Sequence, residues 1–224
     1  MNKIKLTTNN LIKTLFLGPA IFMWALIFFV SMFLSKRNRK KILNFYFPYK
    51  NKFRDIVTNI FYYGKLESKV RKMIDKFPFL EIGCGCGHFI ETISERGLCF
   101  AVDIFKDKNI KGNPFHFVKC DCRNLPFKNG VFLTLYAEYV FHHVENVNLA
   151  IKESARVLKK DGKLILLEDP PNNYISKFFS DLNTSHYMHE NEWKKNFLKD
   201  GFSKFHSKNF NFVLGSGYIF EVIK

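Results

Sequence analysis

The chain reads as an α/β fold: a doubly wound, mostly parallel seven-stranded sheet with a C-terminal antiparallel strand pair, preceded by one N-terminal transmembrane helix. Three observations carry that expectation. Short apolar runs alternate with helically spaced segments from about residue 65 onward, a glycine-rich turn joins the first of these strands to the next helix, and a stretch of 20 residues without a charge, Leu15–Leu34, stands near the N-terminus. A length of 224 residues suits one domain with an appendage. The expected division is a membrane anchor over 1–35, a basic and aromatic juxtamembrane segment over 36–64, and the α/β domain over 65–224.

The anchor comes first. At 1.5 Å rise per residue, a helix of the LFLGPAIFMWALIFFVSMFL stretch spans roughly 30 Å of hydrocarbon. Gly18 and Pro19 fall in its first turns, where early backbone N–H groups lack intrahelical partners and a proline costs little. A cleaved signal peptide is the main rival, but the run exceeds a usual h-region and no small-x-small cleavage pattern follows it. Bulky Phe, Trp and Leu all round the helix favour lipid over a packed interior. Lys36, Arg37, Arg39, Lys40 and Lys41 follow at once, against Lys3, Lys5 and Lys13 before, which places the body of a single-pass membrane protein on the cytoplasmic side. Phe45, Tyr46, Phe47 and Tyr49 then suit a stretch lying at a headgroup interface.

The charge distribution agrees with a membrane partner. Residues 1–80 hold 16 basic and 3 acidic side chains, whereas 81–224 hold 19 and 17. A basic collar beside an apolar segment fits an anionic leaflet, and a nearly neutral body argues against nucleic acid as the partner. The five cysteines, Cys84, Cys86, Cys99, Cys120 and Cys122, are odd in number and argue against a disulfide framework. Their Cys-x-Cys spacing is shorter than a structural zinc site uses, so no metal is expected.

The domain's elements follow in order. Leu66, Val70, Met73 and Ile74 repeat at helical spacing before Pro78. Strands are expected at Phe79–Ile82, Cys99–Asp103, Phe115–Cys120, Val131–Tyr136 and Leu164–Glu168, with helices near His88–Glu95 and Leu149–Leu158. A last helix around Glu192–Leu198 leads through Gly201-Phe202 to strands at about Lys204–Phe212 and Tyr218–Val222. Between the first strand and its helix stands Leu80-Glu81-Ile82-Gly83-Cys84-Gly85-Cys86-Gly87, whose glycines let backbone approach a ligand while the next helix points N–H groups at it. A dinucleotide fingerprint needs Gly-x-Gly-x-x-Gly, and His88 or Ile90 occupies its last place. Twenty residues past Gly83, Asp103 ends the second strand, where an acid can accept hydrogen bonds from both hydroxyls of a ribose.

Together with Cys120-Asp121-Cys122, Leu125-Pro126-Phe127, Phe132, His143, Glu153 and the run Arg156–Leu164, these motifs resemble, in order and spacing, the class I S-adenosylmethionine-dependent methyltransferase family, in its small-molecule and lipid-modifying branch. The resemblance runs from about residue 66 to 224 and implies a Rossmann-like methyltransferase fold with S-adenosyl-L-methionine as cofactor. It implies that Glu81, Gly83, Gly85 and Gly87 surround the methionine part, that Asp103 takes the ribose, that Asp121 faces the adenine amino group between Ile104 and Cys122, and that Tyr136 adjoins the cofactor. Two positions depart from the pattern. Leu133 stands where the family usually has an acid, removing a carboxylate from beside the glycine loop; Lys160-Asp161-Gly162 replaces Pro-Gly-Gly and keeps a turn-forming pair.

Methyl transfer is an in-line displacement, so the site must chiefly hold nucleophile and methyl aligned in a dry cleft. His142 and His143, after the fourth strand, are the candidate bases where a proton must leave, with packing or hydrogen bonding as their plainer role. Asp169-Pro170-Pro171-Asn172 follows the fifth strand rather than the fourth and lacks an aromatic fourth residue, so it reads as a rigid loop exit and not as the target-amine motif of nucleic-acid enzymes. Residues 172–190, with Phe178, Phe179, Tyr187 and Met188, are expected to cover the acceptor or to contribute to the core. A tethered enzyme meets a bilayer-confined lipid or quinone more often than a free one, which makes a small apolar acceptor the expected substrate. A protein or nucleic-acid methyltransferase, and a non-catalytic cofactor-binding module of the same fold, are the alternatives.

Overall fold

A computed structural model describes residues 63–108, 110, 114–171, 186–212 and 215–224. The expected anchor, the expected juxtamembrane segment up to residue 62, and the stretch 172–185 lie outside the described residues. Among the described residues no helix is long and apolar enough to cross a membrane. Lys65–Lys224 forms one compact unit.

Its elements are α1 (Tyr63–Met73), β1 (Phe79–Ile82), α2 (His88–Glu91), β2 (Cys99–Asp103), β3 (His116–Lys119), β4 (Phe132–Glu138), α3 (Val147–Val157), β5 (Leu158–Glu168), α4 (Glu190–Lys199), β6 (Lys204–Phe212) and β7 (Gly215–Ile223). Short 3-10 turns cover Ser94–Arg96 and Phe141–His143. The sheet has seven strands in the order β3-β2-β1-β4-β5-β7-β6. Its first five strands pair in parallel, while β7 runs antiparallel to both β5 and β6.

The register assigns each side chain to a face. Phe79 sits beside Cys99 and Thr134, and Leu80 beside Phe100 and Leu135. Alternation therefore turns Glu81, Ala101, Tyr136 and Ile165 to one side and Ile82, Val102, Ala137 and Leu166 to the other. All four residues of β1 are buried, as expected of a parallel strand covered on both faces. The second face carries the main core, where Ala150, Ile151, Trp193 and Phe197 of α3 and α4 meet Leu80, Leu135, Leu164, Phe220 and Val222. Each such side chain contributes roughly 1.5–3 kcal/mol when fully buried. On the first face Phe89 of α2 lies 4.3 Å from the Tyr136 ring, and Thr134 Oγ1 donates to the Lys76 carbonyl at 2.9 Å.

Two expected boundaries move toward longer strands. Strand β4 runs on to Glu138, two residues nearer the site. Strand β5 begins at Leu158, because Leu158 pairs with Phe132 before a register shift carries the pairing to Thr134 and Lys163. The expected position of Leu133 beside the glycine loop is corrected. Its N–H donates to the Pro78 carbonyl at 2.9 Å, just before β1 begins, so it sits at the start of β4, whereas the loop follows the far end of the parallel β1. A carboxylate there would not face the loop.

Candidate active site

The order of strands determines where a ligand can sit. From β1 the chain builds outward through β2 and β3 on one side and then returns to place β4 on the other, which leaves a crevice at the carboxyl ends of β1, β2 and β4. A cleft of about 880 Å³ opens there, and Gly83, Asp103, Ile104, Asp121, Cys122 and His143 are among its lining residues.

The glycine loop is shaped by backbone conformation. Gly83 has φ +73°, and a Cβ there would lie 2.2 Å from Val140 Cγ2, so no larger residue fits between β1 and the segment after β4. Gly85 has φ +53° and faces open space, with nothing within 4 Å of a Cβ position. Gly87 is the N-cap of α2, so the loop leads directly into that short helix. The Gly85 N–H donates to Asp103 Oδ2 at 2.9 Å, and Asp103 Oδ1 accepts the Phe105 N–H at 3.0 Å. Each oxygen keeps a further lone pair, so the carboxylate is aimed by backbone and still able to accept.

Glu81 is buried behind the loop, and its Oε2 has no hydrogen-bond partner. Burial, with the nearby charge of Glu138 and a smaller contribution from Asp103, holds its carboxyl well above the usual range, against one opposing backbone hydrogen bond to Ile90. An orphaned acceptor at this depth suits a cationic donor such as an ammonium group. Asp121 is held differently. It receives Nε and Nη2 of Arg123 at distances of 2.7–3.1 Å, and the guanidinium lowers its pKa despite some burial. Burial raises the Cys120 thiol to about 11 and the Cys122 thiol to about 12, so both behave as small apolar walls and not as nucleophiles.

The remaining expected residues are placed as follows. Tyr136, expected at the cofactor, is buried against Phe89, with its hydroxyl donating to Glu138 Oε2 at 2.8 Å; it is not a lining residue, because strand alternation turns it to the face that α2 covers. The two histidines separate. His143 lines the cleft, while His142 is buried, with Nδ1 2.5 Å from Glu168 Oε2. Burial alone would lower the His142 pKa; the charge and hydrogen bond of Glu168, with the charge of Asp169, outweigh it and raise the value. Asp169 is itself pushed up to about 7, chiefly by burial. Arg123, Val144, Glu145 and His186 also line the cleft without having been singled out as site residues. Tyr139, another lining residue, adopts φ +53°, an unusual conformation for a bulky side chain and one that sequence does not announce. For Glu168 a signal exists: a carboxylate closes the apolar run Leu164–Leu167.

Residues 80–166 match the family model of a methyltransferase domain. Among curated proteins, the chain is 30% identical over 119 residues to the uncharacterised methyltransferase YcgJ of Bacillus subtilis, 46% of either chain. It is 35% identical over 75 residues to a ubiquinone/menaquinone biosynthesis C-methyltransferase of Cellvibrio japonicus, covering 33% of this chain and 30% of that one. The matched segment thus spans about half or less of these relatives' length. The fold superposes on the crystal structure of an S-adenosylmethionine-dependent methyltransferase from Thermotoga maritima with a TM-score of 0.66, at 17% identity, over 81% of this chain and 99% of that one. Residues 80–166 are thus similar to a methyltransferase domain, and the α/β unit has the fold of that solved methyltransferase. The cleft's residues fit S-adenosylmethionine in an aimed aspartate for the ribose and an open glycine backbone beside it; Glu81, expected at the methionine part, is not a lining residue and shares the sheet face of Tyr136.

Proposed function

We propose that the protein is an S-adenosylmethionine-dependent methyltransferase acting on a small, apolar or membrane-resident acceptor such as a lipid or quinone, and that Leu15–Leu34 tethers it to a membrane with the catalytic domain on the cytoplasmic side. The observation that carries the reading is one cleft lined both by Gly83 and Asp103 and by Tyr139, Val140, His143, Val144, Glu145 and His186. Tyr139, Val140 and Val144 give this second set an apolar share, which favours an acceptor with an apolar part. The name of the quinone-pathway relative and the uncharged 20-residue stretch support the same acceptor class.

When bound, the cofactor supplies an electrophilic methyl carbon on a sulfonium sulfur. The chain's own part is to bind and align. In this reading Asp103 holds the ribose and Ile104 with Cys122 the faces of the base, all three lining the cleft, while Glu81, buried behind the glycine loop, attracts the ammonium from outside that lining. Asp121 is placed for the exocyclic amine, with Arg123 holding its carboxylate in orientation. Val140 and Val144 exclude water from the acceptor side, and His143 is placed to take a proton when the acceptor must lose one.

Incubating the full chain with membranes and methyl-labelled S-adenosylmethionine tests this. Label is expected in the organic extract, and recovery in protein or nucleic acid alone would overturn the acceptor class. Repeating the assay with His143→Gln isolates the base: unchanged turnover would remove His143 from that role.

A further inference from the structure

One buried carboxylate connects three parts of the acceptor wall. Glu168, the last residue of β5, is fully buried. Its Oε1 accepts the Phe141 N–H at 2.8 Å, and its Oε2 meets His142 Nδ1 at 2.5 Å. The His142 carbonyl accepts the His186 N–H at 2.7 Å, and the His142 ring stacks on Tyr187 with centroids 4.7 Å apart and planes 22° from parallel. On its other side the His143 ring lies 4.1 Å away. His143 and His186 both line the cleft, and Glu168 and His142 do not.

A buried ion pair is weak support for stability, since apolar residues of the same volume serve as well or better. What the pair supplies that apolar residues cannot is direction: both carboxylate oxygens are committed, each to a different atom of the turn after β4. We infer that Glu168 and His142 are positioning residues, a buried clamp that holds His143 on one side and His186–Tyr187 on the other at the spacing an acceptor needs. This rests on the methyltransferase reading of the cleft. Among the described residues, the charged and titratable groups facing His142 are Glu168 at the end of β5, Asp169 just after it, His143 from its own turn, and His186 and Tyr187 from the segment before α4.

The test compares Glu168→Leu, which keeps volume and removes both hydrogen bonds, with Glu168→Gln, which can still accept from Phe141 N–H and donate to a neutral His142. Three readouts are taken on the full chain: binding of S-adenosylhomocysteine, amide exchange at His186, and turnover against S-adenosylmethionine concentration in the membrane assay above. Glu168→Leu is expected to bind S-adenosylhomocysteine as the native chain does, to exchange His186 about tenfold faster or more, and to lose kcat with little change in the KM for S-adenosylmethionine; Glu168→Gln restores protection and turnover. If Leu and Gln behave alike, or His186 keeps its native protection in Glu168→Leu, the clamp is overturned. Should Glu168→Leu not fold, His142→Phe keeps the stack on Tyr187 and removes the bond to Glu168; protected His186 and native kcat there overturn it equally. Loss of S-adenosylhomocysteine binding in the native chain would instead strike the reading on which the clamp rests.

Discussion

On the proposed function, Asp103 is the residue on which cofactor affinity should turn. Its carboxylate is oriented by two backbone N–H groups, from Gly85 and Phe105, so it meets a ribose without paying to order itself. Asp103→Asn keeps the shape, removes the charge and turns an amide donor toward one of the two backbone N–H groups. A hydrogen bond to a charged group is worth about 1.5–3 kcal/mol, so the variant should bind S-adenosylhomocysteine about 10- to 100-fold more weakly by calorimetric titration, with a melting temperature lowered by about 2–4 °C for each kcal/mol lost with that backbone contact. At this scale the wall of the cleft made by Gly83 and Asp103 was legible in the sequence because its pattern is local: the glycines and their strand occupy one short string, and Asp103 ends the next strand. The network behind the opposite wall was not. Glu168, His142 and Tyr187 come from three separate stretches of chain, and nothing near any one of them specifies the other two.

Among the elements, α3 is fastened by its last turn. Arg156 donates to the carbonyls of Leu125 and Phe127 and to Asn129 Oδ1, and pairs with Glu153, whose other contact is the Leu125 N–H. One guanidinium thus ties the helix to the chain segment leading into β4. A lysine cannot reproduce a planar fork of donors. Arg156→Lys is expected to cost about 1.5–3 kcal/mol in denaturant unfolding, and a loss below about 0.5 kcal/mol would show the fork to be ornamental. The run Arg156–Leu164 was recognisable as a turn into strand five, yet the early start of β5 was hidden. Leu158 pairs with Phe132 across a register shift, a contact between distant residues that the charged Lys159-Lys160-Asp161 run disguises as loop.

For the whole molecule, the strands themselves could be read from short apolar runs, because parallel strands buried on both faces need them. Their lateral order could not, since no local feature says that β7 inserts between β5 and β6. The pH dependence of stability also belongs to this scale. Asp169 ionises near 3.8 in an unfolded chain and at about 7 in the fold, so its contribution is complete below 3.8 and is lost as pH rises through 7. Asp169→Asn cannot ionise. Its melting temperature should therefore gain on the native chain between pH 5 and pH 8, by about 2–4 °C for each kcal/mol recovered, whereas an offset that stays constant with pH would contradict the assignment.

The insertion of β7 also constrains assembly. β6 is synthesised before β7 and, among the described strands, pairs with β7 alone, so it waits without that partner until Gly215–Ile223 arrives and bridges it to β5. A product halted before Gly215 would present the bare rim of β5 along Lys163–Glu168, a template on which a second molecule could add its own strand.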